Sequence, residues 1–436
     1  MLGFDTGFWS ADTGGGLIAP LRAMAAGAAI PTGVAALDGD ATMVRNRTRH
    51  VIFAHSPTIQ PLFALFRTSD SAGGVEAAVS WPEGTVFKAS VELTVSAGGA
   101  PATALRRLTF GGQDSYVVPA GGSTAAMLYP DPLPASAFHP NFATLGPGDT
   151  VFVKQEIVFP AAGTGVIAIA DGTGLGTGNS GEGCYFGGIG SVDLPGSLVA
   201  QGGSAVGGRL IKPLAILGRH RSVAVLAIGD SIGFGKGVKS SGDGATEGSW
   251  PVMAAYAAGV PLTKAALSGD RAAAFTLARR AQAFALAAHH SHAIVALGTN
   301  DVGAGGAGAT LADLVAGIVA ALRTVNPALR CWAATVPLRC ASSSDGWTTP
   351  AGQSLQTGWG AGQRQDQANA ALAGLVGSVL DGVVDINPGF ADAADPYRWK
   401  TNGAANWSTA DGTHPLQARQ TDASAIARPV IAGWTA

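Results

Sequence analysis

The stretch VAVLAIGDSIGFGKG, residues 223–237, decides how the second half of this chain folds. It opens as an apolar, β-branched run between Arg221 and Gly229, which is the length and composition of a strand covered on both faces. The run stops at Gly-Asp-Ser and passes into a loop too glycine-rich to be core. In open α/β sheets, ligands bind beyond the carboxyl ends of the strands, so Ser231 is expected at the mouth of a crevice. A short hydroxyl there is well placed for a nucleophile. Gly-Asp-Ser alone reads more readily as a plain turn in a chain holding 63 glycines, so the other strand ends must supply the rest of a site.

Outward from Ser231 the pattern alternates. Ser249 and Pro251 open a helix that Gly259 ends, and residues 262–267 form a second strand. A helix over 272–289 carries Arg279 and Arg280 on its exposed side, and 293–297 is a third strand. Thr310 with Asp313 opens a helix that Asn326-Pro327 stops. Residues 331–336 are a fourth strand, 363–376 a helix and 383–386 a fifth strand, and the chain ends in a helix. This repeat predicts a three-layer α/β domain over residues 216–436 with a parallel five-stranded sheet.

All but the fourth of these strands lead to polar residues fit for chemistry. The second leads to Ser268-Gly269-Asp270, the third to Gly298-Thr299-Asn300-Asp301, and the loop after the fifth to Asp411-Gly412-Thr413-His414. Acyl transfer through a serine needs a base, a group that orients the base, and donors aimed at the developing oxyanion. His414 can take the proton of Ser231, and Asp411 can hold the other ring nitrogen. Gly269 offers an unhindered backbone N–H and Asn300 a side-chain amide. In their order and on those strand ends, these four blocks resemble the SGNH (GDSL-type) hydrolase superfamily over about residues 223–436. The resemblance implies a catalytic triad of Ser231, Asp411 and His414, and an oxyanion hole from Ser231, Gly269 and Asn300. It departs from the family pattern in the second block, where Ala265-Ala266-Leu267 stands in place of an asparagine before the glycine.

Two glycine motifs do not extend this set. The run from Gly303 to Gly308 fits GxGxxG, but Thr-Asn-Asp separates it from its strand, and no ribose-binding acid follows. Gly235-Lys236 lacks the flanking residues of a phosphate loop. His289, His290 and His292 flank a helix end and read as structural.

Within a first domain expected over residues 1–215, residues from about 34 to 166 carry the period of strands. Between Phe87 and Val95, apolar residues alternate with Lys88, Ser90, Glu92 and Thr94, which predicts one face on a core and one in water. Further segments at 51–54, 115–118, 150–159 and 165–170, separated by turn residues, predict an all-β sandwich or jelly roll with a glycan-holding or accessory role. The glycine-rich residues 171–208 read as loops; a calcium loop on Asp171 and Glu182 lacks the regular acidic spacing. Charged residues make up 13% of the chain and the net charge is -2, which argues against nucleic acid as a partner. Cys184, Cys331 and Cys340 are too scattered for a zinc site or a disulfide framework, so no metal and no cofactor is expected. Neither a signal peptide nor an apolar run of the roughly 18 residues that span a bilayer is recognisable, so the expectation is a soluble, by default cytoplasmic, protein.

Two insertions, 339–362 and 391–410, bring Trp347, Trp359, Tyr397, Trp399 and Trp407 near the expected mouth. Such rings can stack on sugar faces or simply pin long loops. The first alternative predicts a substrate-binding rim and an O-acetylated glycan as the ester substrate. Competing readings are a lipase or thioesterase of the same superfamily, and a non-catalytic surface or virion protein with a relic hydrolase domain.

Overall fold

The computed structural model describes residues 19–26, 28–36, 41–69, 74–95, 104–169, 182–186, 191–195, 211–238, 248–306 and 308–435. At its centre is a parallel sheet whose strands run in the order Ala28–Ala29, Leu262–Ala266, Val225–Gly229, His292–Ala296, Arg330–Ala334, Gly382–Val384. It is six-stranded, one more than expected. The added edge strand comes from the N-terminal half, with Ala28 and Ala29 in register with Thr263 and Lys264. Two alanines have no period to read, so that strand is invisible in the sequence.

Helices cover the sheet. The helix Gly308–Val325 buries a stripe of Leu311, Val315, Ile318, Val319 and Leu322 in the core below it. It is the one helix among the described residues long and apolar enough to cross a membrane, and the stripe accounts for its apolar character. It starts at Gly308, so Thr310 and Asp313 lie inside the helix and do not cap it. The helix expected over 272–289 is broken instead into a 3₁₀ turn at Ala272–Ala274, a helix at Leu277–Ala285 and a second 3₁₀ turn at Leu286–His289. Arg280, expected in solvent, has non-helical backbone (φ -131°, ψ 33°) and turns inward to pair with Asp270 at 2.6 Å. Both groups are buried, and removing one partner of such a pair typically costs about 3–5 kcal/mol.

Two antiparallel sheets make up most of the N-terminal half. One runs Leu21–Ala23, Ala215–Arg219, Thr58–Ala64, Met127–Leu128; the other runs Tyr116–Val117, Val86–Val95, Thr150–Val158, Met43–Val51, Gly183–Phe186. Their inner faces share one core, with Ile59, Phe63 and Ile216 from the first sheet against Phe87, Val91, Val153 and Ile157 from the second. The strand read at 51–54 is in fact Met43–Val51. Arg45, Arg47 and Arg49 hide its apolar period.

The polar face of the second sheet is not in water. Glu92 pairs with Arg47 at 3.1 Å and Lys154 at 3.5 Å, Glu156 pairs with Arg45 at 2.7 Å, and Ser90 Oγ donates to the Val192 carbonyl at 2.5 Å. Matched charges therefore let chain segments close over a face that alternation alone assigns to solvent. Glu182 accepts the Arg49 backbone N–H at 2.7 Å, and Asp171 lies outside the described residues.

Ala215–Arg219 stays with the β half, so the change of architecture falls after residue 219 and not at 215. The halves also share a core: Ile30, Leu62, Leu214 and Leu217 pack in one cluster with Leu226, Ile228, Phe284 and Leu311.

Candidate active site

Val225–Gly229, buried along its whole length, delivers the chain to the carboxyl edge of the parallel sheet. Asp230 caps the short helix Ser231–Phe234 that follows, accepting the Ile232 N–H at 2.9 Å, and Gly235 ends it in the left-handed region (φ 94°). The result is a sharp strand-to-helix turn with Ser231 at its apex. Burial, with the nearby Asp270 and Asp301 charges, pushes the Asp230 carboxyl up to about 7 against the pull of the Ile232 N–H and Arg339.

Asp411 and His414 approach the same edge from the loop before the last helix, Gln417–Ala432. One Asp411 oxygen accepts the backbone N–H groups of Thr413 and His414 at 2.9 and 2.8 Å, and the other receives His414 Nδ1 at 2.6 Å. His414 Nε2 lies 3.0 Å from Ser231 Oγ. An imidazole thus links a hydroxyl to a carboxylate in an unbroken hydrogen-bonded line. Burial works against the Asp411 charge, but the His414 ring and the two backbone donors outweigh it and hold the carboxyl at about 2. Burial also holds the His414 pKa below its ordinary 6.5; Lys236 and Arg339 push the same way and Asp411 opposes them.

A lowered imidazole pKa means the neutral base persists to lower pH. The acid limb of kcat/KM for an uncharged aryl ester is therefore expected to have its midpoint below 6.5, with a plateau at neutral pH. A rate profile between pH 4 and 8 checks this, and a midpoint above 6.5 contradicts it.

The loops after the second and third strands meet beside Ser231's strand. Gly269 adopts φ 82° in a turn closed by the Asp270 N–H on the Leu267 carbonyl at 3.1 Å. Gly298, at φ 134°, opens the short helix Thr299–Gly303, and a side chain there would collide with Leu311 and Val336. Asn300 Nδ2 donates to the Asp270 carbonyl at 2.9 Å, which ties the two loops together. Asp301 accepts the N–H groups of Ala272 and Ala273 at 2.9 and 3.1 Å.

The aromatic residues divide otherwise than expected. Trp347, Trp359 and Trp399 are core residues, not a rim. Trp399 Nε1 donates to the Gly412 carbonyl at 3.0 Å, the Cys340 N–H reaches the same oxygen at 2.9 Å, and Trp359 Nε1 donates to the Pro337 carbonyl at 3.0 Å. Half-buried Tyr397 donates its hydroxyl to Asp366 at 2.7 Å, and Trp407 lies under the Arg419 guanidinium at 3.9 Å. The indoles of Trp359, Trp399 and Trp407 and the Tyr397 phenol are thereby engaged in holding their loops. His290 is likewise structural, with its nitrogens on the Leu286 carbonyl (2.7 Å) and Thr263 hydroxyl (3.0 Å), and His292 stacks on Trp434.

Gly412 joins this scaffold to the Asp411–His414 turn. Its φ is 73°, and an added Cβ would sit on the Cys340 carbonyl oxygen with Trp347 beside it. Gly412→Ala is expected to cost about 2–4 kcal/mol of stability and to lower kcat more than KM. Thermal unfolding together with steady-state rates checks this, and a variant of wild-type stability and activity contradicts it.

Arg339 is a further charged residue at this edge. It follows the fourth strand, whose end carries no other charged residue, and is the lone charge in the mostly apolar residues 333–340. A single guanidinium kept in such a run at the active edge of a sheet was the available signal.

Residues 227–418 match the model of the GDSL-like lipase/acylhydrolase family. No curated protein matches the chain. Among solved structures, a putative lipolytic protein of the G-D-S-L family from Desulfitobacterium hafniense is similar at 17% identity over 48% of this chain and 99% of its own, with a TM-score of 0.34. A family 2 carbohydrate esterase with a carbohydrate-binding domain from Corynascus thermopiles (Myceliophthora fergusii) is similar at 14% identity over 92% of this chain and 100% of its own (TM-score 0.34). A family two carbohydrate esterase from Clostridium thermocellum, in complex with cellohexaose, is similar at 10% identity over 95% of this chain and 97% of its own (TM-score 0.36).

Proposed function

We propose, from the premise that residues 227–418 are a GDSL-like lipase/acylhydrolase domain and the chain a carboxylic ester hydrolase, that Ser231 is the nucleophile of an acyl-enzyme mechanism acting on short acyl esters of a carbohydrate. The observation that carries the mechanism is the line from Ser231 Oγ through His414 to Asp411. His414 removes the hydroxyl proton as Ser231 attacks the ester carbonyl, and Asp411 fixes the tautomer and stabilises the imidazolium. The Ser231 and Gly269 N–H groups and the Asn300 amide face the oxyanion of the tetrahedral intermediate. Imidazolium then protonates the leaving alcohol, and water, deprotonated by the same ring, releases the acid.

The substrate reading rests on what surrounds the serine. Lys236, Asn300, Arg339, Asp411 and Thr413 are polar or charged and none is fully buried. Such a mouth suits a hydroxyl-rich alcohol and a short acyl group better than a long hydrocarbon chain, which needs apolar surface to leave water. In this reading the β half forms a fixed flank of the cleft, since it shares a core and a sheet edge with the hydrolase domain. Acetate release from O-acetylated oligosaccharides is expected to exceed release of long acyl chains from lipid esters. A preference for long chains rejects the carbohydrate ester and favours a lipase or thioesterase, and absence of any turnover favours a non-catalytic role.

A further inference from the structure

We propose that Arg339 is a positioning residue for the oxyanion hole, which holds the Asn300 amide with its N–H end toward the reacting carbonyl; this rests on the proposed role of Ser231 and Asn300. A primary amide can turn over, presenting either oxygen or nitrogen to the substrate, and only the nitrogen stabilises an oxyanion. Two contacts define its orientation here. Asn300 Nδ2 donates to the Asp270 carbonyl at 2.9 Å, and Arg339 Nη2 donates to Asn300 Oδ1 at 3.4 Å. With the oxygen claimed by a guanidinium and one N–H claimed by a backbone carbonyl, the second N–H is left for the substrate.

The arginine is itself held in place. Its guanidinium lies 5.4 Å from the ring centroid of Trp359, whose indole N–H is anchored on Pro337. It also abuts Gly303, where an added Cβ would come within 2.9 Å of Nη1. Among the described residues no carboxylate lies within ion-pair distance of it, although Asp230 and Asp411 are near enough to act on its charge. A fixed cation bonded to the amide oxygen polarises the amide toward a stronger N–H donor and adds positive potential where negative charge develops. A cation kept only for packing has no need of the Asn300 oxygen.

The test is a double-mutant cycle with 4-nitrophenyl acetate, an uncharged ester that offers no carboxylate to Arg339. Rates are expressed per phosphonate-titrated active site, and folding is followed by thermal unfolding. Arg339→Met is expected to lower kcat about tenfold with KM nearly unchanged, and Arg339→Lys to recover part of the loss. Asn300→Ala should lose about 10²-fold, and on the pH plateau, where the push of Arg339 on His414 no longer affects the rate, adding Arg339→Met should cost little more, because there the arginine acts through the amide. Losses that multiply, or a rise in KM with kcat intact, overturn the positioning role while leaving the oxyanion hole standing. An Asn300→Ala variant at wild-type rate instead overturns the site reading on which the proposal rests. Should Arg339→Met fail to fold, Arg339→Gln and Arg339→Lys carry the same cycle.

Discussion

Ser231→Ala is expected to lower kcat for an aryl ester by about 10⁴-fold or more, with KM little changed and the fold intact. The hydroxyl is the only group whose removal deletes the bond-forming atom itself. Alanine fits its place: Ser231 begins a helix whose cap is the Asp230 carboxylate, and its Oγ meets His414. What remains is the oxyanion site acting on bound water, so a residue of catalysis should persist, without an acyl-enzyme burst. Rapid-mixing kinetics read both features. Retention of the burst in the alanine variant would place the nucleophile elsewhere.

Asp411→Asn is the second large effect, about 10³- to 10⁴-fold in kcat near neutral pH. The amide keeps the size of the carboxylate and can still accept the Thr413 and His414 N–H groups through one oxygen. Its NH₂ group, however, then faces His414 Nδ1, which must turn acceptor. The proton moves to Nε2, and the ring can no longer take one from Ser231. The imidazolium also loses its counter-charge, a carboxylate held at about 2 and therefore ionised throughout the working range. Because geometry survives and electrostatics do not, KM should change far less than kcat. A loss confined to KM contradicts this account, as does a loss below tenfold.

The residues that can be gathered from sequence alone are those announced by local rules. An apolar strand ending in Gly-Asp-Ser needs only its own neighbours to be read, and the same is true of the loops carrying Asn300 and of Asp411 with His414 three residues on. Once a parallel sheet brings strand ends to one edge, their proximity follows from topology. Non-local facts escape such reading. Whether Trp399 faces a cleft or lies beneath Gly412 depends on how a long insertion folds back, and its composition is the same in both cases. Arg280 reads as a solvent residue, and Glu92 as one on a watery strand face, because their partners, Asp270 and Arg47, stand on other elements. Ala28–Ala29 joins the hydrolase sheet through residues that belong by position to the other half. In each case the missing information was a partner distant in sequence.

Catalysis by this site requires above all that Ser231 be an activated nucleophile. A fluorophosphonate probe followed by peptide mass analysis measures this directly, in wild type and in His414→Ala. One adduct per chain on the peptide containing Ser231, formed much more slowly without the imidazole, is the predicted result. An unlabelled Ser231 in protein that still hydrolyses esters, or labelling indifferent to His414, would contradict it.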